Sequence, residues 1–332
     1  MRFLTTFDAD NHHDDSRTMS TLSTYCPTTA NSWFLTGPTA SGKTAVGLEL
    51  AKRLGAEIIS LDSMAVYRGM DIGTAKPTLE ERRLVPHHLI DIVEPDQDFS
   101  LAQYVAAAHR AVEQIVSRGR VPLFVGGTPL YLKSLLRGIF SGPPADWPLR
   151  QRLRAIAERE GVGVLHAELT RVDPKTANRL PPQDERRVIR ALEVWESTGK
   201  SITDLQLQFD KARAAAECRV YCMDRPRAEL IERIDSRVDQ MFAEGLVEET
   251  RRLLNRDLPP SRTASQAVGY REVVEYLNET RNLHDTIGLV KIRTRQFAKR
   301  QMTWFRSLSE CRMLAISGEM EPTRIADQIV EN

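Results

Sequence analysis

The sequence predicts an α/β fold: a core of parallel strands flanked by helices and interrupted by an all-helical insertion. Three observations predict it. The octapeptide Gly37-Pro38-Thr39-Ala40-Ser41-Gly42-Lys43-Thr44 follows a short apolar run, Trp33-Phe34-Leu35, and opens an amphipathic stretch carrying Val46, Leu50 and Leu54. Short apolar runs then alternate with helical patterns to about residue 142, which implies a parallel sheet covered on both faces. From about Pro148 to Gln208 the pattern is helical throughout, and a strand-like run returns only at Arg219.

Taken in order, the helix after the octapeptide ends at Gly55, a C-cap. Ile58 to Leu61 is a short strand closed by Asp62-Ser63. A polar loop through Gly69, Gly73 and Pro77 leads to a strand expected over Leu89–Val93. Ser100 and Gln103 form a capping box that starts a helix with Tyr104, Val105, Val112 and Ile115, stopping at Gly119. Val121–Val125 is a buried strand closed by Gly126-Gly127-Thr128, and Pro129 starts a helix through Leu132, Leu135 and Leu136. Gly142-Pro143-Pro144 breaks the chain, and Pro174 and Pro181-Pro182 break the helical region that follows. Arg219–Met223 reads as a strand, 226–254, 266–277 and 286–308 as helical stretches, and Arg312–Ile316 as a last strand. The expected organisation is therefore a disordered extension over 1–31, an α/β core from 32–142 and 216–320, a helical insertion over 143–215 and a tail over 321–332.

The 332 residues suffice for more than one domain, and a formal net charge of +1 leaves any basic surface local. No apolar run approaches the roughly 18 residues of a membrane span, so no membrane partner is expected. Cys26, Cys218, Cys222 and Cys311 form no C-x-x-C pair; Cys218 and Cys222 flank an apolar run and read as packed thiols in a reducing, cytoplasmic protein. The first 31 residues carry Asp8, Asp10, Asp14 and Asp15 and many hydroxyls, and lack a secretory pattern. His12-His13 there reads as part of a disordered tail rather than a metal site, and Met19 is an alternative start.

The octapeptide fits G-x-x-x-x-G-K-[ST], a phosphate-binding P-loop. Its glycines let backbone N–H groups curl around an anion, and the helix N-terminus adds its positive dipole end. Lys43 would bring a point charge to phosphate oxygens and Thr44 a hydroxyl for Mg²⁺. The strand Val121–Val125 occupies a natural Walker B place yet ends in Gly-Gly-Thr, without an acid, which disfavours an NTPase of that kind. No N-K-x-D motif specifies guanine. Asp62 closes the strand after the P-loop helix, at the carboxyl edge that faces the ligand crevice; a general base and a loop-capping acid are both open at that position. The segment Thr286–Arg306 carries Lys291, Arg293, Arg295, Lys299, Arg300 and Arg306 and no acid, with Phe297 and Trp304 among them. That suits a nucleic-acid backbone, although a solvated helix face is the commoner origin of such a stripe.

Several segments together resemble the tRNA dimethylallyltransferase (isopentenyltransferase) family. They are G-P-T-A-S-G-K-T, I-S-L-D-S at 59–63, Y-R-G-M-D-I-G-T-A-K-P at 67–77, P-H-H-L-I-D at 86–91, V-G-G-T-P-L-Y at 125–131, R-A-L-E-V at 190–194, V-G-Y-R at 268–271 and A-K-R-Q-M-T-W-F-R at 298–306. The resemblance runs from about residue 33 to 317 and lacks the zinc finger of eukaryotic relatives, which points to a bacterial-type enzyme. It implies transfer of a dimethylallyl group from its diphosphate to N6 of the adenosine 3′ of the anticodon, with Mg²⁺. The P-loop residues Gly37, Pro38, Thr39, Ala40, Ser41, Gly42, Lys43 and Thr44 would then hold diphosphate. The resemblance implies Asp62 as the base, Thr128 at the same nucleotide, and Arg237 reaching the diphosphate. It places tRNA contacts at Asp62, Ser63, Met64, Ala65, Thr128, Arg150, Arg186, Arg187, Val188, Ile189 and Arg190, and the basic helix adds Lys299 and Arg300. On a 3.6-residue period Arg186 and Arg190 align while Arg187 turns away by about 100°, so one helix face does not present all three.

An adenine stacked in an anticodon loop must be extruded to reach a buried pocket, which gives the helical insertion a purpose as a clamp on the anticodon arm. The expected partners are thus tRNA and dimethylallyl diphosphate, and the expected state is a monomer. Two other readings fit part of the chain: a P-loop kinase of a small metabolite, and a nucleotide-dependent RNA-binding switch. Prenylation of free adenine nucleotides is a variant that would leave the insertion without a role.

Overall fold

The computed structural model describes residues 29, 31–139, 142–206, 215, 218–319 and 321–331. Of the expected N-terminal extension only Thr29 and Asn31 fall among these; Cys26 and the His12-His13 pair lie outside. Thr29 is buried and its hydroxyl donates to the Leu135 carbonyl.

Six parallel strands form one sheet: β1 (Trp33–Thr36), β2 (Ala56–Ser60), β3 (His87–His88), β4 (Val121–Gly126), β5 (Val220–Asp224) and β6 (Cys311–Ala315), in the order β3-β2-β4-β1-β5-β6. The short apolar runs are apolar at every position because both faces are covered. Phe34, Ile59, Phe124 and Cys222 face one way, onto α3 (Leu101–Ser117), α4 (Pro129–Arg137) and α13 (Leu283–Arg306). Leu35, Ile58, Leu123 and Met223 face the other, onto α1 (Lys43–Leu54) and α14 (Pro322–Glu331). Phe34 and Phe124 stack across neighbouring strands at 4.7 Å. The expected capping box at Ser100 and Gln103 is present.

Four expectations are corrected. The strand expected over Leu89–Val93 is instead the two-residue β3; Leu89 and Asp91 take positive φ, 61° and 56°, which no strand tolerates. The tail expected over 321–332 is α14, whose Ile325, Ala326 and Ile329 are buried against α1; its period-3.6 pattern was the available signal. The stretch 226–254 is two helices, α10 (Arg227–Ala243) and α11 (Leu246–Leu254), parted at Gly245 with φ 101°. Likewise 266–277 is a short 3₁₀ turn, Ala264–Gln266, and then α12 (Tyr270–Leu277).

Between α4 and β5 the chain forms α5 (Trp147–Glu160), α6 (Val162–Val172), α7 (Pro174–Arg179), α8 (Glu185–Thr198) and α9 (Ile202–Leu205). Leu153, Leu165, Leu169, Val188, Ile189, Leu192 and Val194 close a core of their own. Each fully buried Leu or Val there contributes roughly 1.5–3 kcal/mol. Asp146, Asp173, Asp184 and Ser201 cap α5, α7, α8 and α9 through side-chain oxygens.

Candidate active site

The carboxyl ends of β1, β2 and β4 meet at one crevice. At β1 the chain turns through Gly37, with φ 144°, where a Cβ would lie 2.9 Å from the Met223 carbonyl. Ala40 and Gly42 take φ 62° and 98°, so the loop curls before α1 begins at Lys43. Two of its carbonyls are held by arginines: Arg225 Nε donates to Ser41 O at 3.0 Å and Arg233 Nε to Ala40 O at 2.9 Å. The Ser41 hydroxyl is buried with no partner among the described residues. An orphaned hydroxyl and a curled backbone at a helix N-terminus fit a polyanion.

The tip of β4 closes the same crevice, and the glycine pair explains why no acid stands there. A Cβ on Gly126 would lie 2.3 Å from the Leu61 carbonyl, and one on Gly127 would lie 2.6 Å from Gln301 Nε2. At Gly126 the Leu61 backbone therefore leaves no room for a side chain, and at Gly127 a side chain would displace the Gln301 amide. Thr128 follows; its amide donates to Leu61 O and its hydroxyl accepts from the Ser63 amide.

Asp62 stands two residues past the end of β2 within this frame. Its Oδ1 accepts from the amides of Met64 (2.8 Å) and Ala65 (3.2 Å), the capping role left open above. Its Oδ2 accepts no hydrogen bond among the described residues, so the second oxygen is available for proton transfer. Lys43 is near enough for its charge to feel both Asp62 and Arg237. The Lys43 ammonium points inward to the Pro38 carbonyl at 2.7 Å. Burial, aided by the Arg237 charge and opposed by Asp62, lowers its pKa to about 8. Burial and the neighbouring Arg233 also lower Arg237, which donates no hydrogen bond among the described residues. The expected set Lys43, Asp62, Thr128 and Arg237 is thus brought together. Thr44, half-buried at the start of α1, keeps its hydroxyl free of intramolecular bonds among the described residues.

Behind Asp62 three motifs distant in sequence meet. Glu249, buried on α11, accepts the amides of Asp71, Ile72 and Gly73 and the Tyr270 hydroxyl. Lys76 reaches Asp71 and Asp91 at 2.7 and 2.6 Å, and Arg82 closes on Asp91 at 2.6 Å. This buckle holds the loop from Tyr67 to Pro77, whose Tyr67 and Met70 pack with Leu246, Leu253 and Val273 beside Met64 of the Asp62–Ala65 turn.

Sequence reasoning missed Gln301, Arg225, Arg233 and Glu249. Gln301 accepts from the Thr39 amide at 2.9 Å and donates to the Gly127 carbonyl at 2.6 Å, so α13 ties the P-loop to the β4 tip. The available signal was a glutamine in the buried register Ala298, Gln301, Met302, Phe305. Arg225, in the link between β5 and α10, and Arg233, on α10, gave none.

The expected RNA-contacting residues divide. Ala65, Val188 and Ile189 are buried, the last two in the lobe core. Arg186 and Arg187 are exposed, and Arg187 pairs with Asp184 at 3.2 Å. Arg150 and Arg190 converge on Glu193. On α13 the basic stripe is half neutralised: Lys291 pairs with Asp239, Arg295 with Asp235 and Arg306 with Asp224. Lys299 and Arg300 are exposed and form no ion pair among the described residues, and Arg300 lies over the Phe297 ring. Cys218 and Cys222 are buried and in no disulfide, and burial pushes the half-buried Cys311 up to about 12. No helix among the described residues is long and apolar enough to cross a membrane, and they hold no cluster of three His, Cys, Asp or Glu able to bind a metal.

Two family models match the chain: one described as IPP transferase over residues 65–308, the other as isopentenyl transferase over residues 30–93. A tRNA dimethylallyltransferase of Rhodopirellula baltica is 47% identical over 306 residues, covering 90% of this chain and 91% of the relative. One from Thermomicrobium roseum is 49% identical over 279 residues, covering 83% of each. The full-length tRNA isopentenylpyrophosphate transferase from Bacillus halodurans, a crystal structure, matches with TM-score 0.65 and 39% identity over 91% of this chain and 96% of that one. A eukaryotic dimethylallyltransferase caught acting on tRNA matches with TM-score 0.73 and 26% identity, covering 90% of this chain and 78% of that one.

Proposed function

The chain belongs to the IPP transferase family, and from that premise we propose that it transfers a dimethylallyl group from dimethylallyl diphosphate to N6 of the adenosine 3′ of the anticodon in tRNA. One observation carries the reading: a P-loop whose lysine lies beside a carboxylate with a free oxygen, where the Walker B place is filled by two glycines. Such a pocket grips a diphosphate and offers a base, but provides no acid to hold the metal of a cleaved nucleoside triphosphate.

The leaving group departs as the allylic carbon–oxygen bond breaks and its electron pair passes to diphosphate. The curled P-loop amides, Lys43 and Arg237 stabilise the growing negative charge. The N6 lone pair forms the new carbon–nitrogen bond, and the N6 proton passes to Asp62 Oδ2. Oδ1, held by two amides, fixes the carboxylate's direction. Thr128, tied to Ser63, sits at the same nucleotide. A divalent cation, proposed to be Mg²⁺, fits the hard hydroxyl of Thr44 and the substrate's own phosphate oxygens, and would neutralise diphosphate charge when bound. The α5–α9 lobe grips the anticodon arm, with Arg150, Arg186, Arg187 and Arg190 on it and Lys299 and Arg300 on α13 as phosphate contacts. The enzyme acts as a monomer in the cytoplasm.

The test is transfer to an anticodon stem-loop from dimethylallyl diphosphate and Mg²⁺ with no nucleoside triphosphate, read by mass spectrometry of the nucleosides. Formation of N6-dimethylallyladenosine is the expected result. An absolute requirement for ATP would overturn the reading and favour a kinase.

A further inference from the structure

A carboxylate with no solvent exposure lies at the root of the lobe's basic surface. Glu193, on α8, is 0% exposed. Arg150, from α5, donates to it in a fork, Nε to Oε1 at 2.7 Å and Nη2 to Oε2 at 2.8 Å. Arg190, three residues away on α8, donates Nη1 to Oε2, and its Nη2 reaches the Pro143 carbonyl at 3.0 Å. The backbone amide of Asp146, the cap of α5, donates to Oε1 at 2.7 Å. Although burial pushes this carboxyl up, the hydrogen bonds from Arg150 and Arg190 hold it below its ordinary range.

A lone buried carboxylate is costly, and apolar residues of similar volume often stabilise a fold as well as an ion pair does. Stability alone therefore does not call for two arginines here. Each also remains partly open to solvent, 22% for Arg150 and 30% for Arg190. A guanidinium has five N–H donors; Glu193 and Pro143 engage two on each arginine, which leaves others uncommitted. One carboxylate against two guanidinia leaves the cluster one net positive charge. The Arg150 guanidinium also lies 5.1 Å over the ring of Trp147, which is 42% exposed, so the fork is fixed from a second side.

We propose that Glu193 is a positioning residue: it sets Arg150 and Arg190, from two helices, as one pre-organised pair that grips the phosphate backbone of the RNA. This rests on the proposed RNA substrate. Pre-organisation matters because a free arginine loses about 0.5–1.5 kcal/mol of side-chain entropy on being immobilised at an interface. Glu193 has already taken that freedom from both.

The experiment is Glu193→Gln, with affinity for an anticodon stem-loop measured at several salt concentrations beside donor KM and kcat. Gln keeps the shape but turns one acceptor into a donor facing Arg150. Removing a negative charge beside RNA should by simple electrostatics tighten binding and steepen its salt dependence. Positioning predicts the reverse: affinity about tenfold weaker, as expected for a lost charged hydrogen bond, a shallower salt slope, and unchanged donor KM and kcat at saturating RNA. Unchanged or tighter binding would overturn the proposal. Should Glu193→Gln loosen the lobe, the Arg150→Gln/Arg190→Gln background decides. There Glu193→Gln should cost no further RNA affinity and should raise the melting temperature, because it removes an unpaired buried charge; a further loss of affinity would overturn the proposal. If the parent itself bound no anticodon stem-loop, the functional reading would fall, and this one with it.

Discussion

The catalytic crevice and the helical lobe are both polar sites, but they are held by opposite means. In the crevice the backbone forms the site. Gly37, Gly126 and Gly127 bring the P-loop and two strand tips within contact, and side chains such as Arg225, Arg233 and Gln301 hold that backbone in place. In the lobe side chains form the site, with Arg150 and Arg190 oriented by Glu193 on ordinary helices. The contrast follows from the proposed ligands. A diphosphate leaving group needs many fixed short donors at one place, which amides at a helix N-terminus provide. An RNA backbone presents phosphates several ångströms apart, which long cationic side chains reach. Changes in the crevice should therefore reduce the rate, and changes in the lobe and on α13 should reduce affinity and its salt dependence.

The sharpest way to break this contrast is Asp62→Asn. It preserves shape but accepts no proton, so the rate at saturating substrates should fall by roughly 10²- to 10⁴-fold with both substrates bound nearly normally. Single-turnover transfer measures it. Weakened RNA binding with an unchanged rate would make Asp62 a recognition residue and move it to the lobe's side of the comparison.

The pH dependence comes next. Lys43 has a pKa of about 8 in the free protein because it is buried beside Arg237. Bound diphosphate stabilises the charged form, so its pKa is higher in the complex. The binding advantage is then fully present below pH 8 and is lost as pH rises towards the higher value. Donor kcat/KM should be flat with respect to this group below about pH 8 and fall up to tenfold per unit above it. A profile flat to pH 10 would separate Lys43 from the leaving group.

Gln301→Leu removes the tie between Thr39 and Gly127 while keeping the packing volume. Two net hydrogen bonds of about 1 kcal/mol each suggest a rise in donor KM on the order of tenfold, with RNA affinity unchanged. An equal loss of RNA affinity would show that α13 couples the two regions.

The smallest effect is expected from Lys299→Ala or Arg300→Ala. Each should weaken RNA binding a few-fold, uniformly across sequences, and reduce the salt slope by about one. Lys291→Ala should do less, since Lys291 already pairs with Asp239. Identical slopes for all three variants would mean that ion pairing within the protein does not screen the stripe.

Legibility in the sequence differed between the regions for the same physical reason. The P-loop, Asp62 and Gly126-Gly127-Thr128 could be read directly, because a backbone-built site demands glycine and a lysine at fixed spacing. The proposed catalytic quartet could be named, though Arg237 and Thr128 only through resemblance. In the lobe Arg150, Val188, Ile189 and Arg190 could likewise be named only through resemblance, and Val188 and Ile189 prove to be buried. Nothing along the chain pairs residue 150 with residue 193. The fold was misread where a local rule lost to context: at Leu89 and Asp91, whose positive φ ended β3 early, at Gly245, which parts α10 from α11, at 266–277, where a 3₁₀ turn precedes α12, and at α14, read as a tail although its apolar face docks on α1.

By itself the sequence determined what is local: the alternation of buried strands and amphipathic helices, the caps at Ser100 and Gly55, the P-loop, and the missing acid after Val125. These depend on neighbours within a turn or two of chain, where spacing is geometry. Only the tertiary structure decided which strand tips touch, that Oδ1 of Asp62 is committed and Oδ2 is free, that Glu249 buckles the 67–77 loop, and which cations remain unpaired. Those depend on partners tens to hundreds of residues away, and a buried carboxylate or a neutralised lysine is recognised by what surrounds it in space.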